Sequence, residues 1–270
     1  MSDSKGTAVV TGASSGIGAV YADRLAKRGY DLVLVARDGA RMAALAERLG
    51  AETGRRIEVI AADLTRGDDV ATVEARLASD TGITLLVNNA GMSLNGGLFD
   101  NDPTAIERLI ALNITAPTRL AAAAGKAFLA RGTGSIVNIA SVLALAPEMF
   151  DGVYSGSKAY VLNLTLSLAA QFADKGLYAQ AVLPGATRTE IWERSGKDVD
   201  AFPAEMVMDA GDLVDAALVG FDRRETVTIP PLPDDAQWTA LEEARHAMGP
   251  NLSLREPAAR YRGLVAEAAA

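Results

Sequence analysis

Between Thr7 and Val87 the sequence repeats one pattern: a short apolar run, a turn, then alanines and leucines at helical spacing. Thr7–Val10, Asp31–Val35, Ile57–Ala61 and Thr84–Val87 read as strands; Ala19–Arg28, Gly39–Leu49 and Asp68–Ala78 read as the helices between them. Strands written as continuous apolar runs are buried on both faces, and strands separated by helices pair in parallel. Right-handed crossovers then give an α/β fold of three layers, a doubly wound parallel sheet between helices.

The pattern continues beyond Val87 with longer helices. Pro103–Arg131 reads as one helix carrying Pro117 inside it. Proline there removes the hydrogen bond normally given to residue 113, so Asn113 should have a free carbonyl at a local bend. Helix Tyr154–Asp174 and strand Tyr178–Leu183 follow, then Pro184-Gly185, helix Leu213–Phe221 and strand Thr226–Ile229. The irregular stretch between Thr187 and Asp209, with Trp192, Phe202 and Met206, reads as a mobile lid over a pocket. After Pro231, Ala236–Ala247 and Ala258–Ala268 read as helices. With no repeat and no long linker, residues 1–270 read as a single domain, residues 231–270 being a helical extension packed on it.

Charge and composition narrow the function. The formal net charge of −8 argues against a nucleic-acid surface or an anionic membrane. Any cofactor phosphate must therefore be held by local features. The absence of cysteine removes disulfides, thiol catalysis and iron–sulfur chemistry, and fits a cytoplasmic location. No signal peptide is expected from MSDSKGTAVV, and no uncharged apolar run reaches 18 residues, so no membrane span is expected. The single histidine, His246, lies in the C-terminal tail, where a serine–histidine hydrolase would have to depend on it.

Two stretches carry chemistry. In Ser135–Lys158 a short apolar run leads to Ser141, and Tyr154 and Lys158 follow at i,i+4 spacing. On one helix those two side chains lie roughly 5–6 Å apart at Cβ. A cation held there favours the phenolate and lowers the tyrosine pKa toward the working range, and a tuned acid beside a hydroxyl suits proton transfer to a carbonyl oxygen. The second stretch is TGASSGIG, Thr11–Gly18, between a strand and a helix. Its glycines let backbone N–H groups approach a phosphate at the positive end of the helix. Gly12–Gly16 also matches the G-x-S-x-G nucleophile elbow. That elbow takes an oxyanion N–H from an earlier strand–helix loop, and only ten residues precede Thr11.

Together these features resemble the short-chain dehydrogenase/reductase family in its shorter-chained branch, from about Gly6 to Phe221. TGASSGIG resembles its glycine motif, Asn88-Asn89-Ala90-Gly91 its N-N-A-G sequence, and Pro184-Gly185 its proline–glycine pair. The resemblance implies a Rossmann-like fold and a catalytic tetrad of Asn113, Ser141, Tyr154 and Lys158. By that resemblance Tyr154 exchanges the proton, Lys158 binds the nicotinamide ribose, Ser141 polarises the carbonyl, and Asn113 holds a water linked to Lys158. It also implies cofactor contacts from Gly12, Ser14, Ser15, Gly16, Ile17, Gly18, Asp63, Leu64, Ala90, Gly91, Pro184, Gly185, Thr187 and Thr189, with Asn89 holding the central strand. Thr187 stands where the family usually has isoleucine or valine.

An NAD site would place an acid at the end of strand two, where this chain has Ala36 followed by Arg37. A small residue plus a guanidinium suits a 2′-phosphate, so NADP(H) is expected in preference to NAD(H); with Asp38 as the ribose ligand the preference would reverse. Candidate substrate walls are Leu94, Leu143, Leu145, Met149, Phe150, Val153, Trp192 and Phe202, apolar enough for a ketone or 3-oxoacyl compound. The resulting expectation is a carbonyl reductase-like oxidoreductase acting on a small-molecule carbonyl or alcohol, without nucleic-acid or membrane partners. The family resemblance adds a homodimer or homotetramer. A lyase, epimerase or dehalogenase on the same fold, or a nucleotide-sensing regulator, is the alternative.

Overall fold

In the computed structural model, which describes residues 4–262, seven strands form one sheet in the order β3-β2-β1-β4-β5-β6-β9, every pair parallel. The strands are β1 (Thr7–Thr11), β2 (Asp31–Ala36), β3 (Ile57–Ala61), β4 (Ile83–Asn88), β5 (Gly134–Ile139), β6 (Leu177–Val182) and, after a separate short pair β7 (Thr187–Arg188) and β8 (Met208–Asp209), β9 (Val227–Thr228). The chain runs outward from β1 to β3, then returns across the sheet to pair β4 against the other side of β1. Such a reversal opens a crevice at the carboxyl ends of the two strands, where ligands of open α/β sheets bind.

Alternate strand residues serve the two faces. Val10, Leu34 and Val87 pack with α1 (Gly16–Lys27), α2 (Gly39–Thr53) and α8 (Ala210–Asp222) through Tyr21, Leu25, Met42, Leu49 and Leu218. Val9, Val33 and Leu86 pack with α3 (Gly67–Ser79) and α5 (Ala116–Arg131) through Val73, Leu77, Leu120 and Phe128. Both faces are covered, which is why these strands carry no polar alternation.

The single helix expected over Pro103–Arg131 is instead α4 (Pro103–Ile110), a π-helical turn at Ala111–Thr115, and α5. The Ala116 N–H reaches back five residues to the Ala111 carbonyl. The wider turn sits just ahead of Pro117, which has no N–H to donate to Asn113. It also turns buried Asn113 toward the loop after β4. The stretch from 187 to 209 is more regular than expected: β7 and β8 pair at its base, and it carries the one-turn helix α7 (Ile191–Arg194) and two 3-10 turns.

Contacts within the chain group the residues up to Pro231 into one compact unit and those from Leu232 into a second. The second holds α9 (Ala236–Ala247) and 3-10 turns at Gly249–Asn251 and Ala259–Tyr261. The helix expected over Ala258–Ala268 is thus only a 3-10 turn among the described residues, and positions from 263 onward lie outside them. The side chains from 255 to 262 are exposed, so no packing offsets the cost of nucleating a helix there. Among the described residues no helix is long and apolar enough to cross a membrane.

One buried polar ladder ties the sheet to α6 (Gly152–Phe172). Asn88 Nδ2 donates to Asn138 Oδ1 at 2.9 Å, and Asn138 Nδ2 donates to Thr165 Oγ1 at 2.9 Å. Replacing Asn138 by leucine leaves one Asn88 amide hydrogen without an acceptor, its other acceptor being the Pro117 carbonyl, while the Thr165 hydroxyl keeps its bond to the Val161 carbonyl. An unsatisfied buried group costs about 1–3 kcal/mol, so Asn138→Leu should lower the unfolding free energy by about that amount. A urea midpoint equal to that of the wild type would show that the ladder contributes nothing.

Candidate active site

Because β1–β6 run parallel, the segments that follow them emerge on one rim of the sheet. The glycine loop follows β1, Arg37 follows β2, and Asp63 and Leu64 follow β3. Asn89, Ala90, Gly91 and Leu94 follow β4; Ser141, Leu143, Met149 and Phe150 follow β5. Pro184, Gly185, Thr187, Thr189 and Trp192 come after β6.

The loop after β1 is shaped by glycine at two close approaches. Gly12 has φ +67°, and a Cβ there would fall 2.7 Å from Asn89 Nδ2 and 2.9 Å from Ala90 Cα. A Cβ on Gly18 would strike the Gly12 carbonyl and the Asn89 amide. The Asn89 side chain donates to the carbonyls of Thr11 at 2.9 Å and Gly12 at 3.3 Å. Ser14 and Ser15 complete the loop, and α1 starts at Gly16. Ser15 is the extended N-cap, its side chain makes no capping bond, and the first turn holds no acid. The N–H groups of Gly16, Ile17 and Gly18, which no intrahelical carbonyl can satisfy, could hold a phosphate in this cradle of glycine backbone.

At the far side of the crevice β2 ends in Ala36, with exposed Arg37 next. Asp38 is engaged as the N-cap of α2, accepting from the Arg41 backbone N–H at 3.0 Å, and it lies 3.4 Å from the Arg41 guanidinium. Arg41 also donates to Glu190 at 2.9 Å. Arg194 is paired with Glu190 as well and donates to Ser15 Oγ at 3.3 Å. Asp63 accepts from Thr65 through both N–H (3.0 Å) and hydroxyl (2.8 Å), and Leu64 beside it is buried. Thr187 is buried and its carbonyl accepts from Trp192 Nε1 at 2.8 Å, whereas Thr189 lies over Gly16.

The candidate acid–base residues gather around the start of α6. Asp151 caps that helix, accepting from the N–H groups of Val153 and Tyr154 at 3.1 Å, so the helix begins before Tyr154 and carries Tyr154 and Lys158 one turn apart. The Lys158 ammonium is buried and donates to the Ile139 carbonyl at 2.9 Å. It lies 5.6 Å from the centre of the Tyr154 ring. Ser141, two residues beyond β5, accepts from the Leu143 N–H at 3.1 Å. Asn113 is locked in place: it exchanges hydrogen bonds with the Met92 backbone, both at 2.9 Å, and donates to Ser157 at 3.1 Å. A Cβ on Gly91 would come 3.5 Å from the Lys158 ammonium and 3.4 Å from the Asn113 carbonyl oxygen Oδ1, so the loop passes close to both.

The protonation balance departs from the expectation drawn from spacing. Loss of solvation pushes the Tyr154 phenol up to about 12, with the Ser141 hydroxyl opposing it, and Lys158 does not lower it. The same loss of solvation pushes the Lys158 ammonium down to about 8. Burial dominates both shifts, and the Lys158 ammonium is turned toward the Ile139 carbonyl. Near neutral pH the pair therefore consists of a protonated phenol and an ammonium, a proton donor with a cation beside it.

Apolar side chains rise around this pair. Phe150 packs edge-on against Tyr154 with ring centres 5.6 Å apart, and Trp192 lies 5.1 Å from Phe202. Leu94 is buried, Leu143 and Val153 are half-buried, and Met149 and Leu145 are exposed. The sequence reading missed Arg41, Glu190, Arg194 and Lys197. Arginine in the first turn after Arg37 was a visible signal for Arg41; nothing local marks the others, which meet the crevice only through the path of the segment after β7.

The short chain dehydrogenase family profile matches residues 6–200. A short-chain dehydrogenase from Sphingobium yanoikuyae in complex with NADPH is 54% identical, covers 95% of this chain and 99% of its own, and superposes with a TM-score of 0.93. The bulky-bulky ketone specific alcohol dehydrogenase from Comamonas testosteroni is 49% identical, with a TM-score of 0.89 and coverage of 96% and 99%. Human 17-beta-hydroxysteroid dehydrogenase type 3 is 37% identical over 186 residues, 68% of this chain but only 60% of its own length. The matched range spans the glycine loop, the asparagine loop and the Tyr154–Lys158 helix, and the chain belongs to the short chain dehydrogenase family of oxidoreductases.

Proposed function

We propose that this chain interconverts a bulky apolar ketone and its secondary alcohol with NADP(H), in the manner of a carbonyl reductase. The observation that carries the reading is the convergence of Asn113, Ser141, Tyr154 and Lys158 on the rim that also holds the glycine cradle. Bound there, the nicotinamide supplies or takes a hydride. Tyr154, protonated at neutral pH, gives its proton to the carbonyl oxygen or takes it back from the alcohol. Ser141 offers that oxygen a second hydrogen bond. The Lys158 ammonium would hold the ribose hydroxyls, the Ser141 hydroxyl is the group that favours the phenolate left after transfer, and Asn113 fixes the loop after β4. The NADPH-bound neighbour supports the cofactor, and the bulky-ketone neighbour supports the substrate class, as do the apolar walls.

General acid catalysis contributes typically 10²–10⁴-fold, so Tyr154→Phe should lower kcat by at least roughly 100-fold while NADPH still quenches protein fluorescence on binding. A kcat within a few-fold of wild type would remove Tyr154 from the reaction.

The pH dependence follows from the two shifts. Lys158 is charged below about 8 and Tyr154 protonated below about 12. In ketone reduction kcat/KM for NADPH, which reports the free enzyme, should be level below pH 8 and fall above it as Lys158 loses its proton. A profile flat to pH 10 would contradict this.

For cofactor choice, Asp38 is occupied in capping α2, which disfavours it as a ribose ligand, and Arg41 places a second guanidinium beside Arg37's strand end. A hydrogen bond to a charged group is worth about 1.5–3 kcal/mol net, and solvent screening pulls the effect toward the lower end. The expected preference for NADPH over NADH in kcat/KM is roughly tenfold or more. Arg37→Ala should erase most of it without changing kcat at saturating cofactor. A wild type that already prefers NADH would assign the site to Asp38.

A further inference from the structure

Lys197 reaches from the segment after α7 across to the loops that follow β4 and β5. Its ammonium donates to the Leu94 carbonyl at 2.8 Å and lies 3.6 Å from the centre of the Phe150 ring, the ring that stands edge-on against Tyr154. The residue is half-buried. Among the described residues no carboxylate lies within 4.0 Å of it, and the neighbouring acids are engaged elsewhere. Asp200 pairs with Arg188 at 2.8 Å, and Asp198 caps the turn that follows. Asp151 acts on Lys197 only from a distance, while loss of solvation holds the ammonium below the ordinary lysine pKa. One carbonyl and one aromatic face satisfy part of an ammonium that carries three donors. A partly desolvated ammonium with free donors gains from an anionic partner that completes its shell. The chain's net charge of −8 makes a local cation necessary for any anionic substrate.

We infer that Lys197 is a specificity-determining residue that binds a carboxylate on the substrate, at the end away from the reacting carbonyl. The preferred substrates are then apolar keto acids rather than neutral ketones, with Leu94 and Phe150 flanking the apolar body. This rests on the proposed ketone reduction and adds to it the charge of the substrate.

The test compares two matched pairs with NADPH: 4-acetylbenzoate against 4-isopropylacetophenone, and the flexible 7-oxooctanoate against 8-methyl-2-nonanone. In each pair a carboxylate is exchanged for a neutral group of similar shape, and the second pair lets the chain adjust its reach. Wild type should favour at least one keto acid in kcat/KM by roughly tenfold or more, the size expected of a hydrogen bond to a charged group. Lys197→Met, which keeps the apolar stem, should bring that ratio to about one through KM, and Lys197→Arg should restore much of it. A wild-type ratio near one in both pairs would overturn the inference. So would an equal fall on acid and ketone in Lys197→Met, which would make Lys197 a strut for the segment and no more. If wild type reduces neither member of either pair, the ketone-reductase reading fails instead. Calorimetric binding of 4-acetylbenzoate to the NADPH-loaded protein then decides the anion site: tighter binding to wild type than to Lys197→Met upholds it, and equal binding rejects it.

Discussion

The Thr11 hydroxyl joins the two halves of the sheet where the chain reverses. It accepts from the N–H groups of Asn89 and Ala90, both at 3.0 Å, and donates to the Val87 carbonyl at 3.3 Å. Asn89 answers by donating to the carbonyls of Thr11 and Gly12. At this point β1 and β4 diverge into loops that would otherwise leave backbone groups buried without partners. The exchange keeps the crevice open to a width set by hydrogen-bond geometry, and the glycines at 12 and 18 are what let the asparagine lie against the loop. The glycine loop takes its position from it.

Burial decides the chemistry on the other side of the crevice. A buried ammonium with one carbonyl acceptor is an expensive group, and the protein keeps it at the price of a depressed pKa. In the proposed reaction that charge would meet a cofactor's ribose hydroxyls. Tyr154 is held protonated by the same loss of water, as the proposed role of proton donor requires. The Asn113–Met92 and Asn113–Ser157 bonds hold the floor beneath them, and they exist because a π turn and Pro117 bend the helix at that residue.

The segment after β7 contributes cations and acids from outside this frame. Glu190 gathers Arg41 and Arg194, which links the start of α2 to Ser15 of the glycine loop. These pairs are exposed, and each is worth little in stability. Their effect is to bring two guanidinium groups beside the glycine loop and the start of α2, while Lys197 reaches the Leu94 carbonyl and the Phe150 ring.

The layered fold was legible because strands buried on both faces must be apolar throughout, and Val9, Val33 and Leu86 say so wherever they are read. The glycine loop and the Tyr154–Lys158 pair were legible for a similar reason: a backbone approach and a one-turn spacing are local properties of the chain. The break in the long helix was half visible. Pro117 marks a missing donor, but only the packed helix shows that the strain is absorbed as a π turn at Asn113. The sequence by itself determined which groups could donate, accept or pack. Tertiary structure alone decided the direction of the Tyr154 shift, the occupation of Asp38 as a helix cap, and the meeting of Lys197 with Leu94 and Phe150. Those outcomes depend on how much water is excluded and on which distant carbonyl lies within 3 Å, and neither is encoded by neighbours along the chain.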